Sequence, residues 1–174
     1  MGEAIYMRKA TLDDLDAVWE IIQNAKKLLK EDGSEQWQSG YPSRLSMEQD
    51  IEANSCYLLM YGDKIVGTGT LMLQGDTHYA YIVDGKWNRP GHPFATINRI
   101  AITSGYRGKH FANYIMSTLI SIAYGHGVRN IRISTHELNK RVHNLVLNFG
   151  FVQRGKVYTG PTDKDIRNAY ELNM

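Results

Sequence analysis

Arg107, Gly108 and Lys109 place two cations around a glycine where an apolar strand, Ile100-Ala101-Ile102, gives way to a helix. Ala112, Ile115, Met116, Leu119, Ile122 and Ala123 recur at helical spacing, which predicts a helix from Lys109 to about Tyr124 with Gly125 as its stop. Backbone N–H groups in the first turn of a helix lack intrahelical partners, and the terminus carries roughly half a positive charge. A glycine lets a phosphate approach that backbone, and flanking cations strengthen the attraction, so the chemistry predicted for this stretch is anion binding. Two familiar phosphate loops do not fit. A P-loop has four residues between its glycines and a Ser or Thr after its Lys, whereas two residues separate Gly105 from Gly108, and His110 follows Lys109. The dinucleotide fingerprint G-x-G-x-x-G is absent from the chain.

Other chemistry-bearing patterns fail on spacing. His136-Glu137-Leu138-Asn139-Lys140 begins like a zinc-protease motif, but its fifth residue is Lys140 rather than His. No Gly-x-Ser-x-Gly elbow occurs, and the histidines have no metal-ligand spacing, so no metal is expected. Cys56 is the only cysteine and lies inside the apolar run Cys56-Tyr57-Leu58-Leu59-Met60, which suits a small core residue better than a nucleophile. A lone cysteine forms no internal disulfide and suits a reducing cytoplasm.

The 174 residues suffice for one domain, 1–174, with a real core, and 43% hydrophobic with 22% charged residues is ordinary for a soluble globular protein. No apolar run approaches the ~20 residues of a membrane span, the N-terminus lacks a signal-peptide pattern, and Tyr6 breaks the myristoylation motif. A net charge of +2 gives no reason to expect nucleic acid as a partner. The distribution is uneven. Residues 1–98 carry nine Lys/Arg against fourteen Asp/Glu, while residues 99–141 carry seven Lys/Arg and only Glu137. The cationic block coincides with the anion-binding stretch, although a surface basic for other reasons would look the same.

The elements that must position this stretch follow from periodicity and punctuation. Residues 4–9 read as a strand. Thr11 with Asp14 forms a capping box, and Leu12, Leu15, Val18, Trp19 and Ile22 stripe a helix to about Lys30. A turn-rich loop, Gln36 to Pro42, carries Trp37 and Tyr41. Ser46 with Gln49 predicts a short second helix to about Asn54. Cys56–Met60 and Lys64 to about Leu73 read as a hairpin across Gly62-Asp63, and His78–Val83 as another strand, followed by a Gly- and Pro-broken loop to Pro93. In Phe94–Thr103, the step from Ile97 to Ile100 and Ile102 breaks the period of two, as one inserted residue would. Arg129–Thr135 is a strand again, and strand–helix–strand implies a parallel crossover. Asn139 caps a helix bearing Val142, Leu145, Val146 and Phe149, stopped by Gly150, and residues 151–158 and 165–172 form a closing hairpin. The fold expected is mixed α/β: a twisted, mostly antiparallel sheet with a parallel strand pair, flanked by about four helices.

Taken together, Ile-Ala-Ile-x-x-x-Tyr-Arg-Gly-Lys, the six residues Arg107 to Ala112, and Asn139 followed by Gly150-Phe151 resemble the GNAT (GCN5-related N-acetyltransferase) superfamily over nearly the whole chain. Its cofactor loop reads Arg/Gln-x-x-Gly-x-Gly/Ala. Arg107 and Ala112 match the ends, and His110 replaces the central glycine. The resemblance implies a bulged strand splayed from its parallel neighbour and a coenzyme A site at Ile100, Ala101, Ile102, Arg107, Gly108, Lys109, His110, Phe111, Ala112, Asn139 and His143. It implies an acetyl-CoA-dependent N-acetyltransferase acting on a primary amine of a small molecule or peptide. The loops 31–45 and 84–94 would then build the acceptor pocket, with Trp37 and Tyr41 as acceptor contacts or, equally, as plugs of the loop onto the core. His136 and Glu137, just after the strand facing the cofactor strand, are the candidate bases, with structural roles as the alternative. The tyrosine that the family places seven residues after the capping Asn is Val146 here. That keeps open a second reading, a coenzyme A-binding sensor or regulatory module with little or no catalysis. Family members often form homodimers, and no oligomerisation signal shows in the sequence.

Overall fold

The computed structural model describes residues 2–174. Seven strands form one sheet in the order β1-β2-β3-β4-β5-β7-β6, where β1 is Ile5–Lys9, β2 Cys56–Tyr61, β3 Lys64–Met72, β4 Ala95–Ile102, β5 Asn130–Thr135, β6 Val152–Tyr158 and β7 Ile166–Asn173. Every neighbouring pair is antiparallel except β4 and β5. Four helices flank the sheet: α1 (Leu15–Glu31), α2 (Arg44–Glu52), α3 (Phe111–Gly125) and α4 (Lys140–Asn148).

Apolar stripes assign the helices to faces. Ile115, Met116, Leu119 and Ala123 of α3 are fully buried and pack with Leu59, Val66, Ile97 and Ile131. Val18, Ile22 and Ala25 of α1 pack with Met47, Ile51, Cys56 and Leu58 on the opposite face. Each such large aliphatic side chain contributes about 1.5–3 kcal/mol by leaving water. Glycines permit the approach of α3. A Cβ at Gly69 would lie 2.8 Å from Cγ2 of Ile115 and 3.1 Å from Cδ1 of Leu119.

Several boundaries differ from the sequence reading, each for a local reason. Thr11 and Asp14 do form a capping box, but around a 3-10 turn, Leu12–Asp14, that leads into α1. The second helix begins earlier than expected. Ser43, not Ser46, is its N-cap; the Ser43 hydroxyl accepts from Ser46 N–H at 3.1 Å, and Ser46 Oγ accepts from Ser43 N–H at 2.7 Å. The strand expected at His78–Val83 is instead a 3-10 turn, Thr77–Ala80, because the Asp76 carboxylate accepts the His78 N–H at 2.9 Å and competes with a ladder. Only Val83 makes an isolated bridge, to Lys156. α3 starts at Phe111 rather than Lys109, since Gly108 and His110 both adopt left-handed conformations. Past its C-terminus, the positive φ falls on Gly127.

Candidate functional site

The β4–β5 pairing consists of Ala95↔Ile131 and Thr96↔Arg132 only. Beyond Thr96 the strands diverge, and the edge of β4 from Ile97 to Ile102 has no strand partner on that side. β4 is also bulged. Thr68 pairs with Ala101 and Thr70 with Asn98, so Gly69 faces two residues, Arg99 and Ile100. Arg99 takes a φ of 52°, and the extra residue returns Ile100 and Ile102 to the face of Ile97. This is the inserted residue that the isoleucine spacing predicted.

A cavity of about 780 Å³ occupies the opening. At one end it is walled by Arg107, Gly108, His110 and Phe111 at the start of α3, and by Arg141, Asn144 and Asn148 of α4. Its middle is β4 from Ile97 to Ile102 opposite Ile133, Ser134 and Thr135 of β5. The far end is closed by Trp37, Ser39 and Tyr41, by Asp76, His78 and Tyr79, and by Thr159, Asp165 and Arg167.

The α3 end is electropositive and incompletely satisfied. Arg107 donates from Nε to the Ile102 carbonyl at 3.2 Å, while its Nη2 is buried without a hydrogen-bond partner. Burial lowers the Arg107 pKa from its usual value, and the Arg141 charge lowers it further. An anion in this end of the cavity would satisfy the orphaned donor and relieve the repulsion. Asn139 caps α4 by accepting from Val142 N–H at 3.3 Å, and its amide donates to Gln36 Oε1 at 3.2 Å. The same Gln36 oxygen accepts from the Thr135 hydroxyl and from His136 N–H, each at 3.0 Å. One glutamine thus ties the loop after α1 to the rim of β5.

At the far end, His78 Nδ1 lies 2.7 Å from Asp76 Oδ1. An Nδ1–H donated to that carboxylate leaves Nε2 with a free lone pair. Arg99 makes a two-pronged contact with Asp50, 2.7 Å and 2.8 Å, and also donates to the Tyr41 hydroxyl. Tyr79 is buried, its hydroxyl donates to Ser134 Oγ at 3.0 Å, and burial pushes its pKa up.

Of the residues singled out from sequence, Trp37, Tyr41, Ile100, Ala101, Ile102, Arg107, Gly108, His110, Phe111, Ala112 and Asn139 line this one cavity. Four do not. Lys109 lies with its ammonium 5.5 Å from the Tyr106 ring. His143 turns to the sheet, its Nδ1 2.7 Å from the Tyr170 hydroxyl. His136 accepts the Leu138 N–H at Nδ1, 3.2 Å, so its imidazole closes its own turn, and Glu137 is exposed to solvent. The two candidate bases are therefore outside the cavity, because β5 ends at Thr135 and the chain turns away toward α4. The loop 84–94 is also elsewhere. Trp87 is buried, donates from Nε1 to the Tyr79 carbonyl at 3.0 Å, and stacks on the Arg132 guanidinium at 4.1 Å. Cys56 is fully buried, and burial pushes its thiol up to about 11, in keeping with a core role. Asp76, His78, Tyr79, Arg99, Asp165 and Arg167 were missed. Only Asp76-Thr77-His78 had a local signal, an Asp positioned to cap a turn two residues on; the others come together through sheet order.

A family profile described as Acetyltransferase (GNAT) family matches residues 22–151. The chain belongs to the GNAT acetyltransferase family. Among solved structures, a GNAT acetyltransferase from Streptococcus agalactiae is 27% identical, with a TM-score of 0.88 over 100% of this chain and 98% of that one. A GNAT acetyltransferase from Listeria monocytogenes is 16% identical, with a TM-score of 0.74 over 98% and 95%. The aminoglycoside acetyltransferase AAC(6')-Ib, solved with ribostamycin and coenzyme A, is 15% identical, with a TM-score of 0.71 over 98% and 94%. These last two likenesses concern the fold. No curated protein matches the sequence. Within this GNAT fold the splayed β4–β5 pair is the feature on which the cavity depends, and the fold expected from sequence, a mostly antiparallel sheet with one parallel pair and four helices, is the one observed. No described helix is long and apolar enough to cross a membrane.

Proposed function

We propose that this GNAT protein transfers an acetyl group from acetyl-CoA to a primary amine of a small molecule or peptide. The observation that carries the reading is the buried, unpartnered Nη2 of Arg107 at the start of α3, in the wall of a cavity that continues along the open edge of β4. That combination suits a long ligand with an anionic end and a peptide-like arm. The AAC(6')-Ib structure with coenzyme A supports the choice of cofactor. Arg107, Gly108 and the first amides of α3 would hold phosphate, and the backbone of Ile100 to Ile102 would hold the arm, beside Asn139.

Acetyl-CoA supplies an activated thioester carbonyl for the amine to attack. The unpaired backbone of bulged β4 offers donors to the oxygen on which charge develops, without requiring a particular side chain. The amine must arrive neutral, although its ordinary pKa is about 10.4. In this reading His78 takes that proton at Nε2, with Asp76 fixing its tautomer, in place of His136 and Glu137. Val146, on α4, is wholly buried and supplies no acid, and a thiol with a pKa near 8.5 departs without one.

The test is calorimetric titration with acetyl-CoA, coenzyme A and ATP, followed by an amine panel with thiol detection. Selective binding of the coenzyme A species and thiol release with an amine are the expected results. No binding of either coenzyme A species overturns the reading, and selective binding without turnover leaves the sensor reading in its place.

A further inference from the structure

Four arginines line the cavity, and three are accounted for. Arg107 stands at the α3 end. Arg99 is matched by both oxygens of Asp50 and by Tyr41. Arg141 is paired with Asp32 at 3.1 Å and 3.4 Å. Arg167 is different. It stands on β7 and lines the cavity, whose wall also includes Thr159, Asp165 and the Asp76–His78 pair. Its Nη1 donates to the carbonyls of Lys164 at 2.7 Å and Ile166 at 2.8 Å, which fixes the guanidinium in place. Nε and Nη2 have no protein partner among the described residues, and neither is sealed from solvent.

The carboxylates nearest in charge are committed elsewhere. Asp165 Oδ2 accepts from Thr162 N–H at 2.9 Å and from its hydroxyl at 2.7 Å. Glu35 faces Lys164 at 3.9 Å. Neither comes within ion-pair distance of Arg167, whose pKa is lowered from its usual value chiefly by burial. A half-buried cation with an anchored edge and two free donors is a fork for a planar anion.

Resting on the acetyltransferase reading, we propose that Arg167 is a specificity-determining residue that binds a carboxylate of the acceptor, so that the acceptor is a small amino acid carrying both a primary amine and a carboxylate. The carboxylate docks on Nε and Nη2 of Arg167, and the amine lies toward Nε2 of His78 in the same chamber. The chamber is thereby suited to a zwitterion and ill-suited to a purely cationic polyamine, which would meet an unmatched guanidinium.

The experiment is a matched acceptor series: free α-amino acids and ω-amino acids of increasing length, each with its carboxamide and its decarboxylated amine. The ratio of kcat/KM for acid over carboxamide is compared in the wild type, Arg167→Gln and Arg167→Lys. The charge-assisted pair predicts a ratio of roughly tenfold to a hundredfold in the wild type, falling to near one in Arg167→Gln and intermediate in Arg167→Lys. A ratio near one in the wild type, or one unaltered in Arg167→Gln, overturns the proposal; a structural role for Arg167 would lower both acceptors together and leave the ratio unchanged. Calorimetry of the same acids with saturating coenzyme A separates this proposal from its premise. Arg167-dependent binding of an acid without turnover keeps Arg167 as a carboxylate-binding residue and removes the acetyltransferase reading, whereas absence of acid binding overturns the Arg167 assignment whatever amine is turned over.

Discussion

Arg107 and His110 shape the α3 end of the cavity in different ways. Arg107 contributes a buried donor with no protein partner. Its replacement by alanine should weaken coenzyme A binding roughly tenfold or more, the worth of a charge-assisted hydrogen bond; an unchanged dissociation constant by calorimetry would remove Arg107 from the site. His110 stands where the family pattern has glycine, and its φ is 61°, a left-handed conformation that glycine adopts without strain. His110→Gly should retain coenzyme A binding and raise stability by up to about 1 kcal/mol in a urea melt, the relief of strain being partly offset by glycine's greater freedom when unfolded. At the other end, His78→Gln should lower kcat/KM roughly 100-fold near neutral pH. The deficit should shrink as pH rises toward about 10, where the amine is deprotonated without help. A deficit constant across pH would mean that His78 does not handle the proton.

At the scale of elements, the bulge in β4 does two things at once. It realigns Ile100 and Ile102 with the core face, and it swings Arg99 to Asp50 and Tyr41, so the strand leaves β5 with its edge unpaired. The entry to α1 is held by a separate device. Arg8 and Asp14 pair at 2.8 Å, and Thr11 N–H donates to the same carboxylate at 2.8 Å. The Arg8 hydrogen bond, ahead of the Thr11 contacts, holds Asp14 down at about 2 from its ordinary 3.8. A depressed carboxylate contributes stability that is fully present above the unfolded value and is lost as pH falls through the folded one. Between about pH 4 and pH 2 the protein should therefore lose about 1 kcal/mol through this group, discounted because Arg8 is 36% exposed. Asp14→Asn should flatten that part of the acid stability curve, as measured by denaturant melts across the range.

Across the whole molecule, the cavity separates the half bearing β4 and α3 from the half bearing β5 and α4, and only two residue pairs join the strands at its base. A ligand spanning both halves binds the folded state alone. Coenzyme A at a hundred times its dissociation constant should add about 2.7 kcal/mol of stability, read as an upward shift of the melting midpoint, while ATP at the same concentration should give no comparable shift. Equal shifts from both would mean a general polyphosphate site. The sequence by itself determined what depends on near neighbours. The stripe on α3, the Asn139 cap, the Ile97-Ile100 step that marks the bulge and the cation–glycine pattern at Arg107 are all local, and each has a period or a spacing to be read. It went astray at His78–Val83, where a side chain bonding to nearby backbone overrode an apolar pattern. Only the tertiary structure decided which side chains share the cavity. β7 enters the sheet between β5 and β6, and this brings Arg167 into the wall of the same cavity as Asp76, His78 and Tyr41, from distant parts of the chain. Long-range pairing is settled by burial of whole faces, and no spacing within the chain records it.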